Sequence, residues 1–204
     1  ASSVISYSPS GKLNFQIGHG KHFIGNGHRS FLLSDLGFNY PFLKSNTLWL
    51  EGRLQYQNLY MLLQDLNRLE TQFESEGLFE RKSGVNHYLE YAISRKINIG
   101  LFESVHFSSL DSSGNISSPI NYYVPIILLN TLLEKDIDRI LGLNYSYKTS
   151  SKLLVYGQVA NQNFEDLDFS FQMGAKYYLK RIPIRLQAEY NAVGGTNQER
   201  SLYH

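Results

Sequence analysis

From Leu167 to Leu179 the chain alternates with a period of two. Leu167, Phe169, Phe171, Met173, Ala175, Tyr177 and Leu179 fall on one side, and Asp168, Ser170, Gln172, Gly174, Lys176 and Tyr178 on the other. Successive side chains of an extended strand point to opposite faces, so this spacing predicts a strand with one apolar face. The next stretch repeats it. Ile182, Ile184, Leu186, Ala188 and Tyr190 take one face, and Arg185, Gln187, Glu189 and Asn191 the other. Lys180 to Pro183 is short enough for a tight hairpin between them.

The same alternation reads over Leu48 to Tyr56, with Trp49, Glu51, Arg53 and Gln55 on its polar side. Further strands are predicted over Leu13–His19, Val85–Ser94, Ile97–Phe107, Arg139–Lys148 and Lys152–Ala160. That makes about eight, mostly near the roughly 9–11 residues a tilted strand needs to cross a bilayer. Connections alternate between tight (Ser94–Ile97, Lys148–Lys152, Lys180–Pro183) and long (Leu63–Gly84, Ser108–Asp138). Tight turns on one side and long loops on the other are the habit of outer-membrane barrels. Two of the long loops carry helical spacing: Leu62, Leu66, Leu69 and Phe73 in one, and Ile126 to Ile137 after Pro125 in the other. Strand parity places Lys21–Asn46 on the tight-turn side, where so long a connection is out of place. Either it folds back into the lumen or caps the mouth, or a strand lies unread within it.

Composition narrows the class. The chain has 204 residues, 42% hydrophobic and 18% charged, with 15 Tyr and 12 Phe against one Trp. Mean hydropathy is −0.29, and no apolar run approaches the roughly 18 residues of a membrane helix. If the chain spans a bilayer, it does so with strands closed into a barrel. A net charge of +1 does not suggest a nucleic-acid partner. Absence of cysteine rules out disulfides and thiolate metal sites. A soluble β-protein with one wet face remains the competing reading. The expected fold is therefore all-β: an antiparallel transmembrane β-barrel in one segment over residues 1–204, with no second domain. Gly194 to His204 reads as loop, and both ends are abrupt, which implies part of a larger barrel. A measured native mass close to the 23.4 kDa of this sequence would exclude that.

No reaction centre is legible. There is no Gly-x-Ser-x-Gly elbow, and no nucleophile has a placed base. Glu51, Glu90, Glu103 and Glu189 sit on separate predicted strands, where pairing across a lumen as salt bridges is commoner than glycosidase chemistry. Glu51, Arg53, Lys176, Arg185 and Glu189 are expected to face a lumen. His19, His22 and His28 have no carboxylate near until Asp35, and residues 19 and 22 of a strand point opposite ways, so no metal or other cofactor is expected. Asp111, Asn115, Asn121, Tyr122 and Tyr123 combine rings and amides suited to sugars, although the tyrosines fit equally an interfacial girdle.

The densest segment is Phe15-Gln16-Ile17-Gly18-His19-Gly20-Lys21-His22-Phe23-Ile24-Gly25-Asn26-Gly27-His28-Arg29-Ser30-Phe31-Leu32-Leu33-Ser34-Asp35, followed by Asn39-Tyr40-Pro41. Its Gly20-Lys21 lacks the flanking residues of a phosphate loop. The bland reading has its glycines serving close backbone approach and bends, and His19, Lys21 and Arg29 lining a polar interior. The segment resembles a signature of Bacteroidota outer-membrane barrels described as capsule-assembly Wzi-like, including the gliding-motility RemB-like group. Gly18, His19, Gly20, Lys21, Gly25, Gly27 and Arg29 carry it. Weaker pieces follow in order: Ile97 to Val105, Leu141 to Asn144, Leu154 to Gln158, Gly174 to Tyr177 and Leu186 to Asn191. Where the family shows Asn-Pro followed by apolar and aromatic residues, this chain has Ser118-Pro119-Ile120-Asn121. The resemblance implies an outer-membrane location. Its implied partners are the lipid bilayer, lipopolysaccharide, surface polysaccharide and other outer-membrane proteins. The implied function is binding or anchoring surface polysaccharide, or supporting gliding or secretion machinery. A structural subunit of a larger complex and a porin-like channel are the alternatives.

Overall fold

A computed structural model describes residues 2–68, 79–108, 120–133, 138–162, 169–179 and 183–194. Ten strands form one sheet in which every strand pairs antiparallel with its sequence neighbours. They are β1 (Ser3–Ser10), β2 (Leu13–Gly20), β3 (Tyr40–Trp49), β4 (Leu54–Arg68) and β5 (Phe79–Ala92). After them come β6 (Ile97–Ser108), β7 (Asp138–Lys148), β8 (Leu153–Asn161), β9 (Phe169–Tyr178) and β10 (Arg185–Val193). The only α-helix among the described residues, α1, is Leu129–Leu133.

The strand count corrects the expected eight. β1 is short and serine-rich, with only Ile5 and Tyr7 to mark a period, and β3 opens on Tyr40-Pro41 with a Ser-Asn-Thr run in its middle. The expected strand over Leu48–Tyr56 is the end of β3, a 3₁₀ turn at Leu50–Gly52 and the start of β4. Leu50, Glu51 and Gly52 all have positive φ there, which reverses the chain while the alternation of residue types runs on through it. Helical spacing at Leu62 and Leu66 also misled, since both lie in β4. Leu69, Phe73, Asp111, Asn115, Ile137, Leu167, Asp168, Lys180 and Ile182 fall outside the described residues.

With the expected Leu48–Tyr56 strand divided into β3 and β4, parity resolves. The tight connections at Gly11-Lys12, Leu50–Arg53, Ile93–Lys96 and Thr149–Lys152 share one end of the sheet with the Leu179 N to Ile184 O bond between β9 and β10. Residues 21–39 join β2 to β3 at the opposite end, with the other long connections.

Register fixes two faces. One carries cross-strand rows such as Gln16–Lys44–Leu59–Asn86–Ser104–Ile140 and Asn144–Gln158–Gln172–Asn191. The other carries Ile5–Ile17–Leu43 and Leu143–Val159–Phe171, all exposed. Amides are buried and aliphatics face outward, the reverse of a water-soluble sheet.

The amide face is concave. Ile24 bonds to β8, yet it lies four residues past the end of β2. On a flat sheet β8 stands about 29 Å from β2 at the ordinary strand spacing. Four residues reach at most about 14 Å. The sheet must therefore curl around the segment that follows β2.

Candidate functional site

Two irregular segments cover this sheet, one on each face. On the concave face lie residues 22–34, the centre of the glycine-rich signature. Ile24, Phe31 and Leu32 pack against Tyr88, Phe102, Ile140 and Ala160 from β5 to β8. Leu33 packs against Phe42, Leu59 and Met61. A single ladder-like pair, Ile24 with Leu33, closes the segment on itself.

Buried amides satisfy its backbone. Gln158 Nε2 donates to Ile24 O at 3.0 Å, and Gln158 Oε1 accepts from Phe31 N at 3.0 Å and from Ser30 Oγ at 3.1 Å. Gln172 Nε2 donates to Arg29 O at 3.0 Å. An unpaired backbone group buried here would cost about as much as a lost hydrogen bond, so these contacts set the segment's path. The closeness of approach explains Gly25 and Gly27. Gly25 has φ +138, and a Cβ there would run into the Gln158 amide. A Cβ at Gly27 would meet Arg29 O and the side chains of Gln172 and Glu189. A Cβ at Gly18 would likewise meet Ser3 O of β1. Gly18 and His19 lie in β2 and Gly20 ends it, while Lys21 and Arg29 are exposed. His22 stands edge-on to Phe42 and 3.2 Å from the Tyr40 hydroxyl. Burial there, then the charge of Lys44, lowers its pKa to about 4.

Three of the five expected inward charges come together at β9 and β10. Glu189 accepts from His28 N at 2.8 Å and from the Tyr156 hydroxyl at 2.8 Å. Gln172, Gln187 and Asn191 surround the same carboxylate. Lys176 Nζ lies 5.3 Å over the Tyr156 ring, and Arg185 stands at the start of β10 on the same face. The other two do not join them. Glu51 lies in the tight turn, and Arg53 braces the neighbouring one by donating to Tyr91, Ala92 and Ile93. Toward the tight-turn end of the concave face, a cavity of about 410 Å³ is lined by Ser8, Lys12, Asn14, Lys44, Asn46, Gln55 and Gln57 among others. Asn46 Oδ1 there is buried without a partner among the described residues.

The opposite, apolar face holds an arrangement that sequence reasoning missed. Ser45, Asn58, His87 and Glu103 sit directly opposite one another across β3 to β6. Asn58 Nδ2 donates to Ser45 Oγ at 3.2 Å, and Asn58 Oδ1 lies 2.7 Å from His87 Nδ1. His87 and Glu103 are fully buried. Each polar residue interrupts an otherwise apolar face: Asn58 between Tyr56 and Tyr60, His87 between Val85 and Leu89, Glu103 between Leu101 and Val105. Those three interruptions were the available signal, but only the register shows that they align.

Residues 120–133 lie over this row. Glu103 Oε2 accepts from Leu128 N at 2.7 Å; Oε1 accepts from Thr131 N at 3.1 Å and Thr131 Oγ1 at 2.6 Å. The Tyr56 and Tyr60 hydroxyls donate to Pro125 O and Tyr123 O. Phe107 packs against Tyr122 and Tyr123. Tyr122, expected as a sugar platform or a girdle ring, is buried. No group of three His, Cys, Asp or Glu among the described residues is placed to hold a metal ion. In comparisons with known proteins, no family model, curated protein or solved structure matches the chain.

Proposed function

We propose that this sheet is the wall of an outer-membrane β-barrel that binds or anchors surface polysaccharide. The inverted polarity carries the reading. Exposed Ile5, Ile17, Leu43, Leu143, Phe171, Met173 and Leu186 ring one face, while the other buries Gln158, Gln172, Asn144 and Asn86 beside the apolar patches around Phe102 and Leu59. In water such a surface is an aggregation liability; in a bilayer it is the ordinary outside of a barrel. Tight turns at a single end agree with a periplasmic side, and long connections with a cell surface.

The polysaccharide half rests on the resemblance to Wzi-like and RemB-like barrels together with the concave face. Amides, hydroxyls and the two lysines around the 410 Å³ cavity present neutral hydrogen-bonding groups and positive charge at the tight-turn end, so a hydroxyl-rich or acidic chain would meet them from the periplasmic side. The experiment has two steps. Cells are fractionated, and outer-membrane recovery is expected; recovery in the soluble fraction sinks the barrel. Purified protein in detergent is then titrated with the surface polysaccharide of its own cells. Binding that weakens several-fold in Lys44→Gln supports the anchoring role, and no binding removes it.

A second reading, a wall element of a larger outer-membrane complex or of gliding or secretion machinery, is favoured by the sheet's edges. Every residue of β1 is exposed. Co-purification with other outer-membrane proteins at fixed stoichiometry in mild detergent supports it, and a protein that always runs alone removes it. An open porin-like channel is disfavoured by the segment packed inside the curl. Low conductance in planar bilayers is expected.

A further inference from the structure

We infer that residues 120–133 are a lipid-facing strap: where they cover the Asn58–His87–Glu103 row of β4 to β6, the bilayer is met by this segment and not by strand side chains. The inference rests on the membrane-wall reading above. It begins from what lies beneath. Asn58, His87 and Glu103 are buried on the face whose other rows are apolar and exposed. Bare in hydrocarbon, a carboxyl group and its polar neighbours would be costly. The strap removes that exposure, and the carboxylate satisfies the strap's own backbone at Leu128 and Thr131.

The strap's sequence fits a hydrocarbon neighbour. From Ile120 to Leu133 there is no charged residue. Its polar side chains with described contacts point inward. Thr131 bonds to Glu103, Asn130 Nδ2 donates to Tyr122 O, and the Tyr123 hydroxyl donates to Ser83. What faces out is apolar: Ile126 is 55% exposed and Leu132 is 80% exposed. These continue the exposed surface of the adjoining strands, Leu62 on β4 and Leu143 on β7. An extracellular loop has no need to turn its polar groups inward and its leucines outward. Leu128 also holds φ 69, a left-handed conformation uncommon for leucine. The bond from its N–H to Glu103 fixes it there.

The chain lacks cysteine, so single labels are clean. Leu132→Cys and, as a reference on the exposed apolar face, Met173→Cys are each labelled with an environment-sensitive fluorophore in the full chain, reconstituted in phosphatidylcholine vesicles. Quenching is measured with a doxyl-labelled lipid and with aqueous iodide. The expected result is that both labels are quenched by the lipid several-fold more than by iodide. If Met173→Cys reports lipid while Leu132→Cys reports water, the strap inference falls and the wall stands. If both report water, the wall reading falls and takes the inference with it.

Discussion

The segment on the concave face and the strap on the convex face meet the same demand with different chemistry. Both are irregular backbone laid over a sheet, and both bring peptide groups that need partners. Inside the curl the partners are neutral amides: Gln158 bonds Ile24 and Phe31, and Gln172 bonds Arg29. Outside, a single carboxylate, Glu103, takes three donors, and tyrosine hydroxyls take two carbonyls. A glutamine both donates and accepts, so it suits a segment that presents both N–H and C=O groups. A carboxylate only accepts, and it suits the strap's turn into α1, where N–H groups converge.

The sharpest break in that contrast is Glu103→Ala. It leaves Leu128 N, Thr131 N and Thr131 Oγ1 without their acceptor, and a destabilisation of about 4 kcal/mol is expected. Urea unfolding in detergent measures it, and proteolysis should cut within 120–133 first. A loss under 1 kcal/mol means the carboxylate does not hold the strap. Next is Gly25→Ala, at about 3 kcal/mol, because the side chain meets the Gln158 amide at a backbone angle alanine rarely adopts. Here cuts should appear in 22–34 and leave the strap protected.

The exchange of chemistries comes third. Gln158→Glu keeps the acceptor for Phe31 N but removes the donor to Ile24 O, and about 2 kcal/mol is expected. Stability equal to the parent's would show that donation is unimportant inside. The smallest effect concerns pH. His22 has its pKa lowered from 6.5 to about 4, so between those values the folded state binds fewer protons than the unfolded one. Stability is then full above about 6.5 and declines as pH falls toward 4. Hydrogen exchange in residues 22–34 should quicken over that window, and His22→Phe should flatten the response. A response unchanged in the variant assigns it to another group.

How much of this was legible varies by region. β7 to β10 follow plain alternation, and most of their length was read correctly. β1 was lost because Ile5 and Tyr7 alternate with serines over too few residues, and Val4 beside Ile5 blurs the period. The β3–β4 turn was lost because Leu48, Leu50, Leu54 and Tyr56 keep their period across a reversal. Missing that reversal made the place of residues 21–39 look anomalous, and dividing the strand in two removes the anomaly. Glycine-rich close approach was anticipated, but its partners were not, since Gln158 and Gln172 look like any other polar-face residues. The Ser45–Asn58–His87–Glu103 row was invisible for a related reason: no spacing along one strand encodes a row that runs across four.

The separations along the chain set an order of events. Every strand pair in the sheet joins sequence neighbours, so hairpins zip locally with little loop-closure entropy. The inner segment does not share that economy. Its bonds to Gln158, Gln172 and Glu189 span 134, 143 and 161 residues. Residues 22–34 are synthesised early, yet they cannot dock until β8, β9 and β10 exist. They should seat last, as a separate slow phase following sheet formation, and a chain stalled before that step would hold a curled sheet with an unfilled interior.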